Sequence, residues 1–166
     1  MNQAAAALID DLRSLYQEII LDHGKSPRNF RVVEHHSCKA QGNNPMCGDR
    51  VIVTARVDNG TLEDVAFEGK GCAISIASAS MMSEALKGQP IGAAQQLFSA
   101  VHDLCTGKAD TDQAKAAVAP ALSDSVEKLA ALSGVRQFPV RVKCATLAWH
   151  ALISCLEGQT QTTTEK

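Results

Sequence analysis

The feature that most constrains the fold is a tight turn between two strand-like runs. The runs Val51–Val57 and Thr61–Phe67 are separated only by Asp58-Asn59-Gly60. An Asn-Gly pair readily adopts the positive φ angles of a short hairpin turn, so this segment predicts two adjacent antiparallel strands. The chain is therefore expected to build a small antiparallel sheet.

Helical patterns flank this hairpin on both sides. Before it, apolar residues recur at three- and four-residue steps over Ala4–Asp22, which predicts a first helix. Three later segments predict helices: from just after Gly71 to Leu86, from Ile91 to Leu104, and from Ala145 to Leu156. Thr106–Gly134 is less regular and predicts one or two modest helices. A short strand is expected near Ser37–Gln41.

These elements predict an α+β fold. A small three-stranded antiparallel sheet is expected to pack against about five or six helices, because the helices do not alternate regularly with the strands. The chain has 166 residues, of which 45% are hydrophobic, and this is enough for one core. We expect a single domain over residues 1–158 and a disordered polar tail over residues 159–166.

Composition and charge exclude several classes of function. The formal net charge is −2 and the sequence has no basic stripe, which argues against nucleic-acid binding. The N-terminal residues lack the features of a signal peptide, and no apolar run is long enough to span a membrane. Six cysteines without an export signal indicate a reducing cytoplasm, where cysteines more often bind metal or catalyse reactions than form disulfides.

Three cysteines and one aspartate form a candidate metal site. Cys47 and Asp49 flank a glycine in a turn-rich run, Cys72 follows a glycine, and Cys144 precedes an alanine-rich helical pattern. Zinc in a closed tetrahedral site takes four ligands of these types. No CxxC pair is present, so the fold would have to bring the four together. Each cysteine taken singly could equally be a buried, inert residue.

The other chemically reactive side chains are weaker candidates. Cys155 follows Cys144 by eleven residues on the same predicted helix, about 16 Å along its axis, so it is expected in the core. Cys105 is expected to have no role in a site, whether it is buried or on the surface. Cys38 is a weak candidate for a site residue, because its segment leads to the Cys47 loop. His23 is interpreted as a C-terminal helix cap rather than as a catalytic base.

Several runs together resemble a known family. They are Leu15–His23 with Ser26–Asn29, Asn43–Asp49, Gly69–Ser75 and Ser133–Trp149. Over roughly Leu12–Leu156 the chain resembles the SufU branch of the IscU-like proteins of iron–sulfur cluster assembly. IscU scaffolds have histidine where this chain has Lys143. SufU-type proteins carry an extra helical stretch, which Thr106–Gly134 matches.

The resemblance implies an IscU/SufU-like fold with a zinc site at one end, formed by Cys47, Asp49, Cys72 and Cys144. It also implies that the protein takes sulfur from the persulfide of a PLP-dependent cysteine desulfurase of the SufS type. In the family, a histidine of the desulfurase replaces one cysteine on zinc. The matching cysteine in this chain is Cys47, which the resemblance therefore implies as the sulfur acceptor. Arg141 matches a family arginine and is a possible support for a thiolate or persulfide. The sulfur would pass on to a Suf-type scaffold or a thiol acceptor.

Three alternatives stay open from the sequence. The same residues could scaffold a transient 2Fe–2S cluster, because thiolates and a carboxylate also hold iron, although Lys143 argues against this. A structural zinc-binding module without sulfur chemistry is the second. A cysteine hydrolase is the weakest, because no Cys-His-acid set is convincing. Whether the protein is an enzyme, a sulfurtransferase in its own right, is also left open.

Overall fold

The computed structural model describes residues 3–163, apart from the side chains of residues 5–11. It contains six α-helices and four strands, in agreement with the predicted α+β class. In chain order the elements are α1 (Gln3–Lys25), β1 (Cys38–Asn44), β2 (Asp49–Asp58), β3 (Thr61–Lys70), α2 (Ala73–Leu86), α3 (Ile91–Thr106), α4 (Thr111–Ala116), α5 (Ser123–Leu129), α6 (Pro139–Leu156) and β4 (Gln161–Thr163). Two 3-10 segments, Pro120–Leu122 and Ala130–Gln137, precede α5 and α6.

The predicted hairpin is confirmed. β2 pairs antiparallel with β3 from Arg50 opposite Lys70 to Asp58 opposite Thr61. The turn residues Asn59 and Gly60 have φ angles of 51° and 77°, the positive values expected for an Asn-Gly turn. The hairpin forms one side of the sheet and leaves the other edge of β2 for β1.

The sheet has one strand more than predicted. Its order is β3-β2-β1-β4, and β1 is antiparallel to β2 but parallel to β4. The expectation of a disordered tail is wrong for Gln161–Thr163, which pairs with Gln41–Asn43. The physical reason is that β1 has a second edge, whose unpaired backbone groups gain hydrogen bonds from a returning segment. Residues 164–166 lie outside the described part of the chain.

Two helices cover the sheet, and the core continues from them to α3, α5 and the 3-10 segments. α6 packs on β1 and β2, and α2 packs on β3 and against α6. Trp149 is fully buried, and its Nε1 donates a hydrogen bond of 3.0 Å to Ser78 Oγ, which in turn donates 2.5 Å to the carbonyl of Ala145. This chain of hydrogen bonds satisfies the polar atoms between α2 and α6. These hydrogen bonds therefore hold α2 in a fixed position relative to α6.

The last helix starts earlier than predicted. α6 begins at Pro139 rather than near Ala145 as predicted, because proline suits the first turn of a helix, where its missing N–H has no partner to lose. The irregular Thr106–Gly134 segment contains α4 and α5, in agreement with the one or two modest helices expected there. No helix among the described residues is long and apolar enough to cross a bilayer.

Candidate metal centre

The four predicted ligands lie at the ends of secondary-structure elements. Cys47 is in the turn between β1 and β2, and Asp49 is the first residue of β2. Cys72 directly precedes α2, and Cys144 lies in the second turn of α6. These element ends meet at one end of the sheet, so the fold brings together residues that are nearly a hundred positions apart in the sequence.

The turn that carries Cys47 is set by backbone hydrogen bonds. The carbonyl of Asn44 accepts hydrogen bonds from the N–H groups of Cys47, at 3.2 Å, and Gly48, at 2.8 Å. Gly48 has a φ angle of 72°, in the left-handed region that favours glycine. The chain thereby reverses so that Asp49 pairs with Asn44 across the two strands. The thiol and the carboxylate are left close together.

Three of the four predicted ligands form a compact group. The Sγ atoms of Cys47 and Cys144 and a carboxylate oxygen of Asp49 all lie within 4.8 Å of one another. The two sulfurs are 3.6 Å apart. Two thiolates at about 2.3 Å from a tetrahedral zinc would be separated by about 3.8 Å, so this spacing fits the ion. The donor set, two thiolates and a carboxylate, also suits zinc.

Cys72 lies beside this group rather than within it. Its Sγ is 4.0 Å from Asp49 Oδ2 and 3.7 Å from Ser75 Oγ, and its side chain is partly exposed. The structure therefore places the fourth predicted ligand next to the other three, at contact distance from the carboxylate.

Asp49 is held by two donors from the start of α2. The residue is 3% exposed. Its Oδ1 accepts a hydrogen bond of 3.0 Å from the backbone N–H of Cys72, and its Oδ2 accepts one of 2.7 Å from Ser75 Oγ. A Cβ on Gly71 would lie 2.9 Å from Oδ1, so only glycine permits this approach. Such supporting donors orient a carboxylate ligand. Sequence reasoning missed Ser75, although it lies within the Gly69–Ser75 motif.

Asn44 is a second supporting residue that sequence reasoning missed. It is fully buried, and its Nδ2 donates to Cys144 Sγ at 3.6 Å. Its Oδ1 accepts a hydrogen bond of 3.3 Å from the backbone N–H of Met46. Asn44 therefore links α6 to the turn that carries Cys47. Its place in the Asn43–Asp49 motif was the only signal for it.

The comparison with known protein families agrees with these features. Residues 15–145 match the family described as the NifU-like N terminal domain. The chain belongs to this family. This match confirms the resemblance to the IscU-like proteins that the sequence motifs indicated.

The similarity to individual relatives covers most of this chain. The zinc-dependent sulfurtransferase SufU of Bacillus subtilis (strain 168) is 43% identical over 142 residues, which cover 86% of this chain and 89% of that protein. The iron–sulfur cluster assembly scaffold protein IscU of Streptococcus pyogenes serotype M1 is 35% identical over 144 residues, which cover 87% and 84%. The first of these relatives is named for zinc and the second for iron–sulfur cluster assembly.

Solved structures give the same fold. A proposed iron–sulfur cluster assembly scaffold for the SUF system of Fervidobacterium islandicum AW-1 superposes with a TM-score of 0.69 at 30% identity, covering 84% of this chain and 94% of that one. A nitrogen-fixing NifU-like protein (N-terminal) from Brucella abortus gives a TM-score of 0.74 at 19% identity, covering 89% and 95%. The second likeness supports the fold alone.

The thiols of this NifU-like domain differ in their ionisation. Burial, followed by the neighbouring Asp49 and Cys47, raises the pKa of the Cys144 thiol far above its ordinary value. Burial also raises the pKa of Cys72, but hydrogen bonds from the backbone and hydroxyl of Ser75 outweigh it, and the net pKa of Cys72 is lowered. A thiol such as Cys144 would need a cation beside it to be deprotonated at neutral pH.

Arg141, the possible supporting residue, lies next to Cys72 and Cys144. It is exposed on α6, one turn before Cys144, and the negative charges of the Cys72 and Cys144 thiolates raise the pKa of its guanidinium. Arg141 and Cys72 also border a cleft of about 1220 Å³ between α1 and the Ala130–Gln137 segment. The guanidinium is thus a cationic group beside the sulfur atoms of Cys72 and Cys144.

The remaining cysteines lie away from this group. Cys105 is buried, as predicted, and burial raises the pKa of its thiol to about 12. Cys155 is 1% exposed and belongs to the core, as predicted, but it is joined to Cys38 by a disulfide. This pairing differs from the expectation of reduced cysteines, because β1 and α6 cross where the two residues are only 5.3 Å apart at Cα.

His23 has a different role from the one predicted. Its ring is buried against α2, and its Nδ1 lies 2.8 Å from Ser80 Oγ. Burial, more than the nearby Arg28, lowers the pKa of His23. A neutral imidazole cannot serve as a cationic helix cap, so the residue instead joins α1 to α2.

Proposed function

We propose that this protein takes part in iron–sulfur cluster assembly as a zinc-dependent sulfur-transfer protein. In this proposal it accepts persulfide sulfur from a PLP-dependent cysteine desulfurase of the SufS type and delivers it in the cytoplasm to a Suf-type scaffold or a thiol acceptor. The observation that carries the proposal is one exposed thiol, Cys47, set against two buried donors, Asp49 and Cys144. The 43% identity to a named zinc-dependent sulfurtransferase supports it.

Cys47, Asp49 and Cys144, together with the adjacent Cys72, are the residues proposed to hold the metal. The 3.6 Å spacing of two sulfurs and the buried, doubly hydrogen-bonded carboxylate support this assignment. When bound, zinc would keep these thiols deprotonated at neutral pH and hold their geometry.

Cys47 is the proposed sulfur acceptor because another protein can reach it. The residue is exposed, whereas Cys144 is fully buried and Cys72 is only partly exposed. The Cys47 thiolate attacks the outer sulfur of the donor persulfide, and a new S–S bond forms to Cys47 Sγ. The S–S bond of the donor breaks, and the donor cysteine leaves as a thiolate. One sulfane sulfur moves and no net oxidation occurs, so no further reactant is required.

Arg141 is proposed to stabilise the negative charge of this persulfide. Its guanidinium is exposed on the same end of the molecule and already responds to the charges of Cys72 and Cys144. A charge-assisted hydrogen bond from arginine would favour the anionic product without taking part in bond breaking.

A sulfur-uptake assay tests the acceptor assignment. The zinc-loaded protein is incubated with a SufS-type desulfurase, cysteine and a mild reductant, and both desulfurase turnover and the mass of the protein are measured. Wild type and the matched control Cys105→Ala, which removes a buried cysteine away from the site, should stimulate turnover and gain one sulfur. Cys47→Ala should do neither. Equal stimulation and equal sulfur gain by Cys47→Ala would remove Cys47 from the mechanism.

A scaffold for a transient 2Fe–2S cluster is the second candidate function. It is favoured by the relatives named as IscU scaffolds and by donors that also suit iron. Anaerobic reconstitution with iron and sulfide should then give a coloured cluster that moves to an apo-acceptor protein. Tightly held zinc with desulfurase stimulation favours sulfur transfer instead. Zinc without either activity would indicate a structural module.

A further inference from the structure

The contact between β1 and α6 extends from the candidate metal centre to the disulfide. β1 and α6 run antiparallel across each other, and we call their contact the β1–α6 seam. At one end Asn44 Nδ2 lies 3.6 Å from Cys144 Sγ, inside the candidate metal centre. At the other end Cys38, the first residue of β1, is bonded to Cys155 near the end of α6. The seam therefore has one non-covalent and one covalent end.

The middle of the seam is closely packed. Gly42 on β1 lies under α6, where an added Cβ would be 3.0 Å from Leu147 Cδ1 and 3.3 Å from Ala151 Cβ. β4, which follows α6, pairs with β1 along the same stretch. Packing this tight leaves little room for one end of the seam to move independently of the other.

We propose that Cys38 and Cys155 form a redox-reversible lock on the β1–α6 seam, and that the closed lock slows loss of metal from the centre at the other end. The lock is distinct from the metal centre, because Cys155 lies eleven residues beyond Cys144, about 16 Å along α6. Only the effect on metal retention rests on the proposed function. The lock itself does not.

The difference in exposure between the two cysteines determines which sulfur is attacked first. Cys155 is 1% exposed, whereas Cys38 is only partly buried. An external thiolate therefore attacks Cys38 Sγ, forms a mixed disulfide there, and releases Cys155 as a thiolate that takes up a proton. A second thiol then attacks the external sulfur of the mixed disulfide, frees Cys38 and leaves as a small disulfide.

Closure follows the reverse path with a small disulfide, such as oxidised glutathione, as the oxidant. The Cys38 thiolate attacks it and releases one thiol. Cys155 then displaces the second thiol from Cys38. Two protein thiols are oxidised and one small disulfide is reduced to two thiols, so atoms and electrons balance.

The lock has a large thermodynamic effect because it closes a long loop. The sequence separation of the two cysteines is 117 residues. Cross-linking residues this far apart restricts the unfolded chain strongly, and for a chain of this length the expected rise in Tm is roughly 5–15 °C. In the folded chain the same bond ties β1 to α6, the two elements that hold Asn44 against Cys144, so metal release that requires them to separate is expected to slow when the lock closes.

The test compares the zinc-loaded full chain in oxidised and reduced glutathione. Wild type, Cys38→Ser and the matched control Cys105→Ala are alkylated, digested and analysed by mass spectrometry for the Cys38–Cys155 linked peptide. Tm and the rate of zinc extraction by a chelator are measured in parallel. Oxidised wild type and Cys105→Ala should contain the linked peptide, show the higher Tm and lose zinc several-fold more slowly than when reduced. Cys38→Ser should respond to neither condition.

Three results would overturn the proposal. Absence of the linked peptide from oxidised wild type removes the lock. A redox-dependent Tm in Cys38→Ser equal to that of wild type assigns the response to other cysteines. Equal zinc extraction from oxidised and reduced wild type removes the coupling to the metal centre. Failure of the proposed function is seen separately, as lack of zinc binding or of sulfur uptake in either redox state.

Discussion

The hydroxyl of Ser75 tests whether the residues around Asp49 support the proposed metal binding. Ser75 is 1% exposed, and its Oγ donates a hydrogen bond of 2.7 Å to Asp49 Oδ2. A hydrogen bond to a charged group contributes about 1.5–3 kcal/mol, and each 1.4 kcal/mol corresponds to a factor of ten. Substitution of groups that support metal ligands typically costs about 10–100-fold in affinity. Ser75→Ala should therefore weaken zinc binding by about 10–100-fold.

The assay is competition for zinc with a chromogenic chelator at neutral pH. The matched control is Ser80→Ala, because Ser80 is also fully buried on α2 but contacts His23 and the backbone of Arg28 rather than the metal centre. Ser80→Ala should lower the unfolding free energy and leave zinc affinity unchanged. If Ser75→Ala binds zinc as tightly as wild type, or if Ser80→Ala loses as much affinity, the supporting role of Ser75 is refuted.

Three further predictions concern the stability of the fold. Gly42→Ala should lower the unfolding free energy by about 1–3 kcal/mol, measured by urea denaturation, because its Cβ would press on Leu147; no loss would contradict the close packing. Hydrogen bonds from Arg31 lower the pKa of Asp64, so this pair stabilises the fold above pH 3.8 and the benefit is lost as pH falls below that value. Asp64→Asn should cost about 1–2 kcal/mol at pH 7, with a smaller difference from wild type in urea denaturation at pH 3. Burial lowers the pKa of His23 from 6.5, so below pH 6.5 the unfolded chain binds more protons than the folded chain, and Tm decreases as the pH falls. In His23→Gln, thermal unfolding at several pH values should show a Tm that depends less on pH.

Features set by neighbouring residues could be predicted from the sequence. The hairpin around Asn59 and Gly60 depends on one turn and the strands beside it, and its position was predicted correctly. The last helix was also predicted, although its start at Pro139 was missed because periodicity alone does not show where a first turn begins. Local backbone preference is sufficient for elements of this kind.

Features that depend on distant contacts could not be predicted in the same way. β4 consists of three residues that pair with a free strand edge, and its sequence carries no periodicity to reveal it. The Cys38–Cys155 bond depends on where α6 crosses β1, a relation that spacing along the chain does not contain. The four metal ligands stay a prediction, which residue type and the family motifs suggested although no CxxC spacing indicated that the residues meet in space. The supporting Ser75 and Asn44 required the structure itself.

The proposed sulfur transfer requires that one ligand is released while the others are retained, and the distribution of burial around the centre gives a physical reason for this division. Asp49 and Cys144 are buried, so leaving either as an uncompensated charge would carry a desolvation cost of several kcal/mol. Each is instead held by the fold, Asp49 by Ser75 and Cys144 by Asn44. Cys47 is exposed, and water can solvate its thiolate once it separates from the group. The donor that costs least to release is therefore also the one that a partner's persulfide can reach, and this coincidence is what a sulfur acceptor with a retained metal requires.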